Sequence, residues 1–344
     1  MDNGMPSSRT DTIKFSGQSG EYFKLWFVNL FLSIITLGIY SAWAKVRDTQ
    51  YMYGHTHVDG HSFRYLATPM QILRGRIIAV IVFVLYGVLS SINPAIGTVL
   101  ALCFLLAMPW LLIQGVRFSM RMTAYRNVRF SFEGTYGGVA LHFILLPILG
   151  AITFYLAMPW VMQKIQQYIH NHITFAGKPF QQKSSVGQYY IAALCSVVVA
   201  LLAGAVIFGL GGSAIATASE GFSFALLIVG LAGVALFSIA GAVYRAIIYN
   251  HLMNTLTIDD VVSFDAQIKI APFVTLVLSN MFLLVITLGL AVPITKIRMA
   301  RYLAKVTQVT VMPGVDSLVN TVEGKNSAFG EEAAGLFDTD LSII

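Results

Sequence analysis

The chain has 344 residues, of which 56% are hydrophobic and 11% charged, and its formal net charge is +6. Soluble domains carry roughly 25% charged residues, so this composition excludes an ordinary soluble protein and predicts an integral membrane protein. The basic excess does not predict nucleic-acid binding, because lysines and arginines cluster beside apolar runs, where anionic lipid headgroups account for them.

Five segments are predicted along the chain. Residues 1–20 are polar, 21–116 form a first membrane repeat, 117–248 a second repeat and 249–311 a third, partial repeat. Residues 312–344 are rich in Gly, Ala and Ser and hold six acidic residues against one lysine. That composition cannot bury a core, so we expect a disordered cytoplasmic tail.

Apolar runs long enough to be membrane helices, which need about 20 residues, occur seven times. They are residues 22–44, 77–91, 95–116, 137–162, 189–211, 222–242 and 272–294. The linkers 91–94 and 212–221 contain no Lys or Arg, whereas 45–76, 117–136 and 164–188 are basic. By the positive-inside rule these three basic segments face the cytoplasm, and runs two and three form one hairpin and runs five and six another.

The first, fourth and seventh runs are flanked by polar or basic segments on both sides. They are either re-entrant or tilted elements that return to the cytoplasmic side, or parts of three-run repeats that are inserted in opposite orientations, as in many transporters. Both arrangements agree with the helix-weakening residues in these runs, of which Gly38, Pro147 and Gly289 are examples; ordinary kinks at packed interfaces are the alternative explanation of these residues.

Between the runs the pattern changes to the alternation of β-strands. Residues 55–65 alternate around Asp59-Gly60, a strong hairpin signal, and similar segments lie at 127–132, 173–180, 255–264 and 307–311. A lone hairpin is marginal in water. We therefore expect an all-α polytopic membrane protein with internal repeats, plus short cytoplasmic β-hairpins that can pair into a small sheet.

The repeat is visible as identical residues at constant spacing. Thr36, Trp43, Tyr51, His55, Gly60 and Phe63 recur 117 residues later as Thr153, Trp160, Tyr168, His172, Gly177 and Phe180. A third copy keeps Thr287, Lys296, Arg298 and Tyr302 but has Val306 in place of the histidine. Six identities in register without a gap predict a duplicated fold.

These same residues carry a resemblance to a known family. The stretch 35–47, Ile-Thr-Leu-Gly-Ile-Tyr followed by Trp-Ala-Lys-Val-Arg, together with Tyr51, His55-Thr56, Gly60 and Phe63, resembles the YjgN family of bacterial inner-membrane proteins. The resemblance covers roughly residues 12–311. It implies a multi-pass protein of the bacterial inner membrane whose function is not established, and it carries over no catalytic residue.

Histidines are the side chains that could form a metal site. His55, His57 and His61 have H-x-H-x3-H spacing, and His170 and His172 repeat H-x-H; imidazole is a common ligand of zinc, copper and nickel. However, only His55 and His172 are repeat-equivalent, and an interfacial histidine also caps carbonyls or meets lipid phosphate. Both readings stay open, and we assign no metal ligand and no cofactor.

Other catalytic signatures are missing from the sequence, which has no phosphate loop, H-E-x-x-H or G-x-S-x-G motif, so we expect no enzyme. Asp and Glu are also absent from the apolar cores, which removes the usual proton-relay carboxylates. His142 is the one ionisable residue well inside an apolar run, as either a packed polar group or a pathway residue.

The candidate binding residues form a polar ring that is repeated in two copies. Its members are Lys45, Arg47, Tyr51, His55, Lys164, Tyr168 and His172. A duplicated fold brings the two halves to corresponding positions, where cations and tyrosines at headgroup depth would suit an anionic lipid or small anion; plain membrane anchoring is the alternative.

Two functions are therefore expected. The first is a transporter or channel for a small solute or lipid, favoured by the repeats and the broken runs. The alternative is a non-transporting envelope scaffold or anionic-lipid-interacting protein that presents a cytoplasmic β-rich surface. The expected partners are membrane lipids and not nucleic acid.

Overall fold

The computed structural model describes residues 8–217, 224–315 and 318. Within them, twelve strands are found: β1 Arg9–Thr12, β2 Lys14–Phe15, β3 Thr56–Val58, β4 His61–Tyr65, β5 Thr123–Tyr125, β6 Val128–Phe132, β7 Ile173–Phe175, β8 Lys178–Pro179, β9 Gln181–Gln182, β10 Leu256–Ile258, β11 Val262–Ala266 and β12 Thr307–Val311. The helices are α1 Ser19–Ile35, α2 Ser41–Gly54, α3 Pro69–Ile92, α4 Pro94–Arg121, α5 Tyr136–Ala140, α6 Leu146–Ile152, α7 Met158–Asn171, α8 Val186–Thr217, α9 Phe224–Thr255, α10 Ile270–Ile286 and α11 Val292–Val306, with a π-helical segment, Leu141–Leu145, between α5 and α6.

The strands form two antiparallel sheets rather than one small sheet. One has the order β1-β12-β11-β10-β9 and the other runs from β2 to β8 in sequence order. Only Ile13 separates β1 from β2, and only Phe180 separates β8 from β9, so the chain joins the sheets at both edges. Their shared core is apolar and includes Tyr125 and Phe175 from one sheet and Val309 from the other. A cavity of about 70 Å³ is lined by residues of this core.

Every helical hairpin leaves the sheets and returns to them. Each hairpin lies between two strands that pair with each other: α1–α2 between β2 and β3, α3–α4 between β4 and β5, α5–α7 between β6 and β7, α8–α9 between β9 and β10, and α10–α11 between β11 and β12. Because paired strands lie side by side, the helices between them must run outward and come back. The basic segments predicted to share one side therefore all lie at the sheet side of the helices.

Two of these hairpins are long. The described residues contain four candidate membrane spans, which are parts of α3, α4, α8 and α9. They are Pro69–Ile92, Pro94–Arg121, Val186–Gly209 and Leu227–Thr255. They contain the predicted runs 77–91 and 95–116 and most of 189–211 and 222–242, and they extend beyond them toward the sheets. The mostly helical membrane architecture with additional β-strands is thus confirmed, and the difference is that the strands form two sheets rather than one small sheet.

The remaining three apolar runs are not single helices. Runs 22–44, 137–162 and 272–294 are each interrupted by a turn, which separates α1 from α2, α6 from α7 and α10 from α11. Each hairpin then returns to the strand beside the one it left. Each of these runs thus leaves the sheets and returns to them, which is the geometry of the first predicted arrangement.

Residues beyond the predicted boundary at 312 still contact the sheet core, and Leu318 also packs against it. Val315 is buried against the sheet core, and the backbone N–H of Met312 donates to the carbonyl of Val261 at 2.9 Å. Residues 316, 317 and 319–344 of the predicted disordered tail lie outside the described residues. The predicted outer linker 212–221 is helical as far as Thr217, and 218–221 also lie outside that part.

The sidedness of the sheets gives a first prediction. In a chain whose Cys103 and Cys195 are replaced by alanine, single cysteines at Thr49, Thr135 and Gln181 should all resist a membrane-impermeant maleimide added to intact cells, because basic short segments stay in the cytoplasm. Asn93→Cys, at the turn between α3 and α4, should react and serves as the control.

Labelling of all three sheet-side positions would mean that the orientation is reversed. If Gln181→Cys is labelled and Thr49→Cys is not, the basic segments do not all lie on the same side of the membrane, and the prediction is wrong.

Candidate functional site

The three short hairpins share one turn, built around the repeated threonine. The Thr36 hydroxyl donates to the Leu32 carbonyl at 2.7 Å and accepts from the N–H of Tyr40 at 2.9 Å. In the second hairpin, the Thr153 hydroxyl donates to the Gly150 carbonyl and accepts from the N–H of Ala157, at 2.9 and 3.1 Å. In the third, the Thr287 hydroxyl donates to the Leu283 carbonyl and accepts from the N–H of Ala291, at 2.7 and 3.0 Å. Each threonine thus ends one helix and caps the start of the next.

The tips of these turns are apolar and exposed. Leu37, Phe154 and Leu288 are 95%, 90% and 92% exposed, although each has a positive φ of about 50°, which is unfavourable for a bulky side chain. Large exposed apolar side chains at the end of a hairpin are suited to a hydrocarbon environment rather than to water.

Tyr51 and His55, two members of the predicted ring, fasten the first hairpin at its sheet end. The Tyr51 hydroxyl accepts from the N–H of Gln18 at 2.9 Å and lies 3.1 Å from the Gln18 carbonyl, so the side chain of α2 holds the start of α1. Burial raises the pKa of the Tyr51 phenol, which keeps the hydroxyl protonated. Its ring lies 4.1 Å from the His55 ring and 5.0 Å from that of Tyr22.

Tyr168 and His172 do the same in the second hairpin. The Tyr168 hydroxyl accepts from the N–H of Thr135 at 3.0 Å, at the start of α5. The rings of His172 and His142 lie 4.1 and 4.3 Å from the Tyr168 ring. His142, considered as a pathway residue in the sequence, is thus packed against Tyr168, with its Nδ1 2.8 Å from the Gly138 carbonyl.

The two halves of the predicted ring are not brought together. Among the described residues, no hydrogen bond, ion pair or ring contact joins Tyr51 or His55 to Lys164, Tyr168 or His172. Each half serves its own hairpin. The predicted ring therefore separates into two anchoring pairs and the basic residues Lys45, Arg47 and Lys164.

Arg47 and Lys45 have different surroundings, although both are exposed on α2. The Arg47 guanidinium lies over the Tyr40 ring, 5.8 Å from its centre. The Lys45 ammonium has no hydrogen-bond or ion-pair partner in the described part of the chain and lines a cleft of about 260 Å³ between the first hairpin and α11. We call this space the α1–α2–α11 cleft; its lining residues are Trp26, Asn29, Leu30, Ser33, Ser41, Ala44, Lys45, Asp48 and Lys296.

An ion pair closes one wall of this cleft. The Asp48 carboxylate accepts from the Lys296 ammonium at 3.2 Å and from the Tyr22 hydroxyl. Lys296 also lies 3.3 Å from the Tyr22 hydroxyl and over its ring. The pair neutralises itself, so Lys45 leaves the lining of the cleft with one net positive charge.

A buried amide completes the lining. Asn29 is 4% exposed, its side chain makes no hydrogen bond with a described residue, and its Oδ1 is buried without a partner. Such a group costs about 1–3 kcal/mol when left unsatisfied. Asn280 occupies the equivalent place in the third hairpin and also has a buried, unpartnered Oδ1, but it does not line the cleft.

The histidines considered as metal ligands are engaged with backbone carbonyls. The Nδ1 atoms of His55, His57 and His61 lie 2.7, 3.2 and 2.8 Å from the carbonyls of Tyr51, His55 and Asp59. His170 is similarly placed 2.7 Å from the Gln166 carbonyl, and burial lowers its pKa. Residues 8–217, 224–315 and 318 contain no group of three or more His, Cys, Asp or Glu that could hold a metal ion.

Sequence reasoning identified Lys45, missed Asp48 and Tyr22, and interpreted Asn29 only as a helix-weakening residue. Lys296 was noticed only as a counterpart of Lys45. A signal existed for Asn29, because Asn280 stands at the same displacement of 251 residues that relates Thr36 to Thr287. No local pattern signals the Asp48–Lys296 pair, whose members are 248 residues apart.

Comparison with known proteins confirms the resemblance. Inner membrane protein YjgN of Escherichia coli O157:H7 is 36% identical over 141 residues, which are 40% of this chain and 35% of that protein. YjgN of Escherichia coli K12 is 34% identical over the same shares. YjgN of Salmonella typhimurium LT2 is 29% identical over 151 residues, 43% of this chain and 38% of the relative. No solved structure matches the chain.

The matched stretch spans little more than a third of the length of these relatives. Their names and the four candidate spans identify a multi-pass protein of the bacterial inner membrane. The family model described as "Bacterial protein of unknown function (DUF898)" matches residues 10–336, and the chain belongs to this family.

Proposed function

We propose that this protein binds anionic phospholipid headgroups of the cytoplasmic leaflet in the α1–α2–α11 cleft, and that its short hairpins dip into that leaflet. The single observation that carries the proposal is the cleft itself, where an unpaired ammonium and an unpaired amide lie below apolar, exposed hairpin tips. The protein is then a lipid-binding membrane protein rather than an enzyme.

The depth of the cleft supports a headgroup as the occupant. Lys45 lies nine residues before the end of α2, and Lys296 ten residues before the end of α11, which places both about 14 or 15 Å from the sheets. The side chains beyond this level on α1, such as Phe31 and Ile34, are apolar and exposed. A charged site bordered by such a surface lies at the boundary between headgroups and hydrocarbon.

The chemistry of the cleft matches a phosphodiester. Lys45 has three N–H donors and no described partner, and the Nδ2 group of Asn29 adds a donor, whereas its buried Oδ1 is an acceptor. The Asp48–Lys296 pair leaves the positive charge of Lys45 uncompensated. Across the α2–α3 contact, Arg76 donates to the Ser41 hydroxyl, so a guanidinium stands at the rim of the cleft and raises the local positive potential.

An internal duplication is part of this proposal. It is supported by the shared threonine turns, by the equivalent tyrosine anchors of Tyr51 and Tyr168, and by the buried pair Asn29 and Asn280. In this view the hairpins are related membrane anchors, and the first acquired the cleft through its contact with the third.

The transporter or channel function that the sequence favoured gains no support from the structure or from the comparisons. It differs from the proposal in an observable way: a transporter of lipid moves a fluorescent phospholipid between leaflets of reconstituted vesicles, whereas a binding protein only retains it.

Two substitutions with opposite expected effects on lipid retention test the cleft. Lys45→Gln should weaken retention of phosphatidylglycerol about fivefold, because a basic residue near an anionic surface contributes about 1 kcal/mol. Asp48→Asn should strengthen retention, since it removes the negative charge that compensates Lys296. Native mass spectrometry of the detergent-solubilised protein measures both.

Lys24→Gln is the matched control, because Lys24 is an exposed basic residue of α1 outside the cleft. If Lys24→Gln and Lys45→Gln weaken phosphatidylglycerol retention equally, the loss results from the lower net charge and not from the cleft. Weaker retention after Asp48→Asn would show that the ion pair is required for structure and would contradict the electrostatic account.

A further inference from the structure

A second depression lies between α9 and α10. We call it the α9–α10 groove; it has a volume of about 470 Å³ and is lined by Val234, Phe237, Ser238, Gly241, Ala242, Arg245 and Val277. All but Val277 belong to α9, at spacings of three, four and seven residues that place them on one face of a helix.

Arg245 is the unusual member of this groove. It is exposed on a candidate membrane span and has no hydrogen-bond or ion-pair partner in the described ranges. It lies ten residues before the end of α9 at Thr255, about 15 Å from the sheets. This is the level of Lys45 and Lys296 in the cleft, so the guanidinium stands at headgroup depth.

Below Arg245 the groove is mostly apolar, and the hydroxyl of its one polar member, Ser238, is bonded to the Val234 carbonyl at 2.7 Å. Gly241 is one turn deeper in the membrane, and Phe237 and Val234 follow at one-turn intervals. A Cβ atom at Gly241 would meet nothing within 4 Å, so the missing side chain leaves open space along the helix. The groove therefore combines a cation at one end with an apolar channel that runs toward the bilayer centre.

We propose that the α9–α10 groove binds one anionic phospholipid of the surrounding membrane, with its phosphate on Arg245 and an acyl chain along Gly241, Phe237 and Val234. Guanidinium binds phosphate oxygens in a bidentate manner, and the unpaired charge selects an anion. This site goes beyond the proposed function, because it involves other helices and takes an acyl chain as well as a headgroup.

The test separates the headgroup from the acyl chain. Arg245→Gln removes the cation, and Gly241→Leu fills the channel while Arg245 is retained. Both variants should lose one tightly retained phosphatidylglycerol in native mass spectra of the full-length protein, with about fivefold weaker retention for Arg245→Gln. In either variant, adding Lys45→Gln should still cause the same further loss of lipid retention as it does in the wild type. Failure of this site and failure of the cleft are therefore distinguishable.

Each variant has a matched control. Arg121→Gln removes another exposed basic residue from the sheet-side end of a span, α4. Gly230→Leu makes the same change in α9 at a position that is outside the groove and whose Cβ would also meet nothing within 4 Å. Both controls should retain the lipid as the wild type does, and their thermal unfolding reports whether a leucine is tolerated in this helix.

Two results would overturn the proposal. If Gly241→Leu retains the lipid while Arg245→Gln loses it, the arginine is only an anchor to bulk headgroups and the groove holds no chain. If Gly241→Leu converts a dimer to a monomer and lipid retention is unchanged, the groove is occupied by a second copy of the chain.

Discussion

Replacing Gly138 by alanine is expected to destabilise the second hairpin by about 2–4 kcal/mol, the sum of overpacking and of a lost hydrogen bond. The new Cβ would lie 2.7 Å from the Cε2 and Cζ atoms of Tyr168 and still closer to its hydroxyl. Real contacts of this kind are not seen below 3.0 Å, so the ring must move. Movement breaks the bond from Thr135 and the stacking on His142.

The neighbouring glycine supplies the control. A Cβ at Gly137 would meet nothing within 4 Å, and alanine favours a helix over glycine by about 1 kcal/mol, so Gly137→Ala should leave the protein as stable or more so. Thermal unfolding in detergent, followed by circular dichroism, compares the two. Equal melting temperatures for both variants would show that Tyr168 does not anchor α5.

This anchor illustrates what sequence reasoning reaches and where it stops. The recurrence of Tyr51 as Tyr168 was visible in the sequence and predicted a common role. That role was taken to be ligand binding, because equivalent positions in a duplicated chain suggest residues that face one another. Duplication instead repeats contacts inside each unit, so each tyrosine meets the helix start of its own hairpin.

Composition and periodicity predicted the larger features correctly. Apolar runs gave the four spans, and alternation around Asp59-Gly60 gave the β3–β4 hairpin, whose turn has positive φ at both residues. The short strands β1, β2, β5 and β9 were missed, since two to four residues are too few for a periodic signal. Their pairing depends on distant partners, and so does the joining of the two sheets.

The breaks in the first, fourth and seventh runs could not be predicted from run length, because these runs are at least as long as the others. Gly38 marked a weak point in the first run, but only the hydrogen bonds of Thr36 and the left-handed turn at Leu37 and Gly38 show that the chain reverses there. The candidate cleft was only partly predictable, because some of its residues are brought together by contacts between segments distant in the sequence. Lys45 is a local feature of α2, whereas Lys296 reaches Asp48 only through the packing of α11 on α1 and α2.

A charge at a hairpin tip should prevent that hairpin from entering the membrane. Leu37→Asp places a carboxylate where the side chain is 95% exposed, and a charged residue in the hydrocarbon centre costs roughly 2.5–3.5 kcal/mol. The backbone itself should not suffer, because Asp tolerates the φ of 49° at this position better than Leu does. Stability in detergent should therefore stay the same or rise, while insertion in a bilayer weakens.

A bimane attached at Ile39→Cys, beside the tip and 59% exposed, reports insertion through quenching by brominated lipid in vesicles. Adding Leu37→Asp should lower that quenching, whereas Phe154→Asp, at the tip of the second hairpin, should leave the same probe unaffected. Unchanged quenching in the Leu37→Asp protein would place the first tip outside the hydrocarbon and remove the membrane depth on which lipid binding in the cleft depends. A decrease confined to Leu37→Asp would show that the hairpins insert independently, because each is fastened to the sheets by its own strand pair.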